Sequence, residues 1–266
     1  MIPVMESYFD SNSYHTPENE HLSFREKLRL NSRVYFTYKY ASAVLRSRKE
    51  AIRKVYDTEA WAHSSFEIFR FLEDIGGKFH ITGMENISKS ANPVLFICNH
   101  MSTLETMILP CIIAPHRETT FVVKESLVKH PIFGDVMRSR NPVVVGRTDP
   151  RKDFEAVMTG GAELLAKGVS IVIFPQSTRS LEFRPEDFNS LGVKLAKKAG
   201  VEVVPVALKT DFWGKGKLIK ELGPLDSSIP VHFKFGEPFH IAGNGKKENQ
   251  RIIEFIKSSL EEWKRE

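Results

Sequence analysis

Beyond residue 77 the chain alternates between two textures. Short runs dense in Val, Ile and Phe are separated by longer stretches in which apolar residues return every three or four positions. The first texture predicts strands near 78–82, 93–98, 119–123, 142–146, 170–174, 202–208 and 231–235. The second predicts helices near 103–113, 130–138, 151–167, 188–199 and 247–264. Runs such as Val94-Leu95-Phe96-Ile97-Cys98 are apolar on both faces of the pleat, so the sheet they build needs cover on both sides. Alternating strands and helices then predict an α/β fold with a mixed, largely parallel sheet and helices on both faces.

Ahead of that region the periodicity is helical. Phe24, Leu28, Tyr35, Tyr38, Leu45, Ile52 and Val55 recur at helical spacings, and a second run, Glu59 to Ile75, stops at Gly76-Gly77. The expected organisation is a polar tail over 1–21, an N-terminal amphipathic helical unit over 22–76 and an α/β domain over 77–266.

Composition narrows the class. Hydrophobic residues at 41% and charged residues at 27% describe an ordinary globular chain rather than a disordered one. Cys98 and Cys111 are too few for a disulfide framework, and the nine histidines lack ligand spacing, so no metal is expected. No window holds 18 uncharged apolar residues, and the opening MIPVMESYFD lacks the pattern of a secretory signal. A cytoplasmic protein without a membrane span is the expectation.

Charge changes this picture. The net +5 conceals −4 over residues 1–21 and +8 over residues 22–56, where ten bases from Arg25 to Lys54 face only Glu26 and Glu50. Such a block suits an anionic surface. With Tyr35, Phe36, Tyr38 and Tyr40 among the bases, the surface expected is a lipid headgroup layer, giving peripheral membrane association through residues 22–56. No motif supports nucleic acid as the partner. Dinucleotide, P-loop, zinc-protease and serine-elbow motifs are likewise missing.

Chemistry concentrates where strands end. Asn99-His100 follows the strand PVLFIC, and Ser102-x-x-Glu105 reads as a capping box opening a helix that runs to Pro110. A glutamate there folds back toward the helix start, where it can accept the His100 ring N–H and support a proton-abstracting imidazole. Phe174-Pro175-Gln176-Ser177-Thr178-Arg179 follows SIVIF, Gly146-Arg147 follows VVV, and Lys124 ends TFVV. Three cations and one His–Glu pair at strand ends suggest an acceptor that carries a phosphate as well as a hydroxyl. Val203 to Ala207 is an apolar strand interrupted by Pro205, with no chemistry of its own.

In this order the stretches resemble the glycerolipid (lysophospholipid) acyltransferase family, which includes 1-acyl-glycerol-3-phosphate acyltransferases. Its N-H-x-x-x-x-D block is matched by Asn99, His100 and Glu105, and its Gly-Arg block by Gly146 and Arg147. F-P-E-G-T-R-S is matched by Phe174, Pro175, Thr178, Arg179 and Ser180, and V-P-V by Val204, Pro205 and Val206; the likeness extends to the GEP run at 236–238. Three positions depart from the family. Glu105 replaces aspartate, as in related lipid A late acyltransferases, Gln176 replaces glutamate, and Ser177 replaces glycine. If residue 177 needs positive φ, serine costs roughly 1 kcal/mol there.

The resemblance implies direct acyl transfer from a thioester of coenzyme A or acyl carrier protein, a co-substrate, with no bound cofactor. His100 would take the proton of a lysophospholipid hydroxyl, Glu105 would hold the imidazole, and Lys124, Arg147 and Arg179 would bind the acceptor phosphate. Main-chain N–H groups at the start of the 103–113 helix are the expected oxyanion donors. A lipid A-like or ornithine-lipid acceptor, or a weakly active lipid-binding relative, are the alternatives.

Overall fold

The computed structural model describes residues 7–9, 11–17, 32–176, 178–216 and 223–265. Among these, eight strands form one sheet: β1 (Tyr14–His15), β2 (Phe79–Thr82), β3 (Leu95–Cys98), β4 (Thr119–Lys124), β5 (Val143–Val145), β6 (Ser170–Ile173), β7 (Val203–Lys209) and β8 (Val231–Phe235). Their order is β1-β2-β8-β7-β3-β6-β4-β5. The block β7-β3-β6-β4-β5 is parallel throughout, so these strands all end at one edge. β8 runs antiparallel to β7, and β1 antiparallel to β2.

The pleat sorts the core into two layers. On β3, Phe96 and Cys98 join one cluster while Leu95 and Ile97 join the other; on β6, Val172 opposes Ile171 and Ile173 in the same way. Helices α1 (Ser32–Ile52), α2 (Thr58–Asp74) and α4 (Leu104–Ile113) cover the first face, α3 being the single turn Glu85–Ser88. The turns α5 (Glu125–Val128) and α6 (Gly134–Ser139) flank β4 and β5. The second face is covered by α7 (Pro150–Ala166), α8 (Leu191–Ala199) and α9 (Lys246–Trp263). Local signals set the ends: Asp57 and Asp149 carboxylates cap α2 and α7, and Gly200 closes α8 at φ +68°.

Pro205 lies within β7, a position that removes a ladder donor. It sits opposite Gly236, whose N–H donates to Pro205 O at 2.8 Å. A Cβ on Gly236 would lie 2.7 Å from the proline ring, so the close approach of the two backbones calls for glycine here.

Several expectations change. The stretch read as a polar tail contributes β1, and its Phe9 is 6% exposed among Tyr14, Phe66 and Phe69. Helix α4 covers the expected span and runs through Pro110 to Ile113. The Ser65 hydroxyl, from α2, donates to Met107 O and accepts from Cys111 N, which serves the backbone groups beside the proline. Of the rings expected at a headgroup layer, Phe36 and Tyr40 are buried edge-on against Trp213, whereas Tyr38 is outside. Phe24, Leu28 and the bases Arg25, Lys27 and Arg29 lie outside the described residues.

Candidate active site

The parallel strands deliver their following residues to one edge, in the order β7, β3, β6, β4, β5. That places Thr210, then Asn99 and His100, then Phe174 to Gln176 with Thr178 and Arg179, then Lys124, then Arg147 along a single rim. Asn99 is buried and fixes the start of this rim. Its amide donates to Leu208 O and accepts from Leu208 N, both at 2.8 Å, so a side chain extends the β3–β7 pairing by one step.

His100 is held by main chain and ring together. Its N–H donates to Gln176 Oε1 at 2.8 Å, and its carbonyl accepts from Ser180 N at 2.9 Å. The ring stacks on Phe174 with centroids 4.3 Å apart, and Phe174 stacks in turn on Phe121. Nδ1 lies 2.8 Å from Glu105 Oε1. A carboxylate only accepts, so the proton belongs on Nδ1 and the lone pair on Nε2. The side chain is 14% exposed, which leaves the ring open to a reactant.

Glu105 is completely buried. Besides His100, its carboxylate accepts from Met101 N (2.7 Å), Ser102 N (3.0 Å) and Thr210 Oγ1 (2.6 Å), with Ser102 Oγ 3.1 Å away. Burial pushes its pKa up. The hydrogen bond and charge of His100, then the Thr210 hydroxyl, outweigh that and hold it below the usual carboxylate value. The carboxylate is therefore held in its ionised form, placed against the His100 ring N–H. The capping box forms in altered shape: Glu105 takes the Ser102 N–H, but Ser102 Oγ caps Leu104 N at 3.0 Å, two residues on. Because Met101, Ser102 and Leu104 N–H groups are engaged in this way, they are not available as oxyanion donors.

The cations sit differently from one another. Arg179 is half-buried and reaches the Thr103 hydroxyl, at the start of α4 beside the dyad. Lys124 and Arg147 are exposed at the ends of β4 and β5, farther along the rim. Arg147 adopts φ +60°, while Gly146 does not and has room for a Cβ. The Asp153 carboxylate accepts both Gly146 N (2.7 Å) and Arg147 N (2.8 Å), which secures that left-handed turn. Pro175 is buried and its carbonyl accepts from Asn189, Thr178 is exposed, and Ser177 lies outside the described residues. Thr210 is the residue that sequence reasoning overlooked. Its position just past a buried strand, at the ligand-binding edge of the sheet, was the available signal.

A protein-family model described as Acyltransferase matches residues 78–209, from the start of β2 to the end of β7, which hold every rim residue named above except Thr210. Residues 78–209 carry the domain of this family. It is 28% identical over 192 residues to the 1-acyl-sn-glycerol-3-phosphate acyltransferase of Pseudomonas aeruginosa, covering 70% of each chain. A chloroplastic relative of that name from Arabidopsis thaliana is 32% identical over 63% of this chain and 43% of its own. One from Chlamydomonas reinhardtii is 33% identical over 58% and 46%. The chain thus spans less than half the length of those two plant and algal relatives. The crystal structure of the 1-acyl-sn-glycerophosphate acyltransferase of Thermotoga maritima has the same fold, with a TM-score of 0.64 over 90% of this chain and 96% of that one at 22% identity.

Proposed function

We propose that the protein transfers a fatty acyl group from a coenzyme A or acyl-carrier-protein thioester to the free hydroxyl of 1-acyl-sn-glycerol-3-phosphate. The observation that carries this reading is the His100–Glu105 pair: an open imidazole whose Nδ1 is bound to a fully buried, ionised carboxylate. His100 Nε2 takes the hydroxyl proton as the oxygen attacks the thioester carbonyl. The tetrahedral intermediate then expels the thiolate, which recovers the proton from the imidazolium, so no cofactor enters the balance. Arg179, nearest the dyad, binds the acceptor phosphate with its planar fork, and Lys124 and Arg147 extend the cationic rim. The names of the relatives support this acceptor over a lipid A-like or ornithine-lipid one.

The lipid reaches this site from a membrane surface to which the protein adsorbs. No helix among the described residues is long and apolar enough to cross a bilayer. The outer face of α1 instead exposes Val34, Tyr38, Leu45 and Ile52 in one stripe, continued by Val55, with Arg46, Lys49, Arg53 and Lys54 exposed beside it. Apolar side chains flanked by bases fit the headgroup layer of an anionic bilayer.

The test is an assay of purified protein with acyl-CoA and acyl-carrier-protein donors against lysophosphatidic acid, other lysolipids and monoacylglycerol. Phosphatidic acid should form fastest, and monoacylglycerol should be a poor acceptor. His100→Ala should be slower by about 10²–10⁴. Equal use of charged and uncharged acceptors would remove the phosphate from the reading, and full activity in His100→Ala would remove the mechanism.

A further inference from the structure

The carboxylate of Glu105 is gripped at both oxygens by different parts of the chain. Oε1 receives His100 Nδ1 and Met101 N, from the junction of β3 and α4. Oε2 makes its shortest contact, 2.6 Å, with the hydroxyl of Thr210, which comes from the end of β7 and is completely buried. Ser102 Oγ lies 3.0 Å from Thr210 Oγ1 and accepts the Leu104 N–H. A hydroxyl has one proton to give, and the short contact gives that of Thr210 to Glu105 Oε2. Ser102, which accepts the Leu104 N–H, stands beside both Thr210 Oγ1 and Oε2 (3.1 Å), so its one proton serves one of them and Thr210 is the hydroxyl committed to the carboxylate.

We infer that Thr210 is a positioning residue for acyl transfer: it anchors Glu105 Oε2 so that Oε1 stays in line with His100 Nδ1. The inference rests on His100 acting as the base in the proposed function. With Oε2 tied to β7, the carboxylate cannot turn about its terminal torsion, which is broad for a free glutamate. The anchor has a defined register of its own. Asn99 clamps Leu208 from both sides, and Thr210, two residues on, shares the face of Leu208 toward α4. A slip of β7 by one residue would turn Thr210 to the opposite face and leave Oε2 with Ser102 alone.

The experiment compares Thr210→Val, which keeps shape and removes the hydroxyl, with Thr210→Ser, which keeps the hydroxyl. Thr210→Val should lower kcat about 10- to 100-fold, the worth of one hydrogen bond to a charged group, with both KM values within about twofold of the parent. Thr210→Ser should recover kcat to within about threefold. The second readout needs no substrate: the low-field proton NMR resonance of His100 Nδ1–H, identified by its loss in His100→Ala. It should shift or broaden in Thr210→Val and return in Thr210→Ser. Thr210→Val with parental kcat and an unmoved resonance overturns the inference, as does a serine variant that folds but recovers neither. If the valine variant does not fold, Thr210→Cys, a weaker donor, should be about tenfold slower than Thr210→Ser, and equal rates overturn the inference. Because the resonance is independent of acceptor, loss of the acceptor assignment and loss of the Thr210 role give different results.

Discussion

At the scale of single residues, the substitution of Gln176 for the family's glutamate is the informative departure. Its Oε1 accepts the His100 N–H, a bond that a glutamate oxygen makes equally well. The charge is therefore dispensable for holding His100, whereas the acceptor is not. Gln176→Glu should keep activity to within about threefold. Gln176→Leu orphans a part-buried N–H, at a cost of about 1–3 kcal/mol, and frees the main chain of His100. Steady-state kinetics and a thermal melt on both variants check this; a fully active, equally stable leucine variant would show that Ser180 and Phe174 hold His100 without it. Glu105 answers to the same reasoning. Aspartate is shorter by one methylene, about 1 Å of reach, and so cannot span His100 and Thr210 together. Glu105→Asp should retain partial activity, and Glu105→Gln, which sets an NH₂ against a ring of donors, much less.

At the scale of elements, α1 separates two jobs by face. Phe36, Tyr40, Ala43, Val44, Ser47 and Ala51 are buried, and burying each large side chain among them contributes about 1.5–3 kcal/mol. Removing the helix would strip Trp213 of its cover, so truncation is a test of folding and not of membrane binding. The outward stripe can be changed without that cost. Tyr38→Glu with Leu45→Glu should reduce co-sedimentation with anionic vesicles at least tenfold while leaving the melting temperature within about 2 °C, because surface changes cost little. Binding by the parent protein should weaken as salt rises, since each base near the surface is worth about 1 kcal/mol. Undiminished binding by the double variant would move the membrane contact to another face.

At the scale of the whole molecule, the sheet joins residues whose titration governs stability. His232 on β8 pairs in register with His80 on β2 and Lys209 on β7; His15 on β1 lies beyond His80, and Trp263 of α9 stacks on the His232 ring. Burial, then the His80, Lys209 and His15 side chains beside it, push the His232 imidazole down from 6.5 to about 3. It is neutral in the folded protein, whereas the unfolded chain binds its proton below about 6.5. Stability therefore falls as pH drops from that value toward 3, by about 2 kcal/mol between pH 7 and pH 5 from this group. Glu105 acts lower. Its contribution is complete above its ordinary value of 4.5 and is lost as pH falls through its depressed folded value. Urea unfolding at pH 7 and pH 5 should show His232→Phe losing less stability than the parent protein. An equal loss in both would place the acid sensitivity elsewhere.

Much of this protein is already determined by its sequence. Strands apolar on both faces, helical periodicity between them, and the blocks around His100, Arg147, Arg179 and Pro205 are local patterns, and local patterns survive in a linear reading. So does the His100–Glu105 pair, because five residues across one strand-to-helix junction bring the two side chains together. Tertiary structure alone decided what depends on partners far along the chain. Thr210 meets Glu105 across 105 residues, and no spacing rule records that contact. The apolar side chains of α1 read as one amphipathic pattern, but only packing on Trp213 selects Phe36 and Tyr40 for the core and leaves Tyr38 and Leu45 outside. The polar run near residue 14 becomes a strand because the edge of β2 offers it hydrogen bonds, a property of the assembled sheet and not of the run itself.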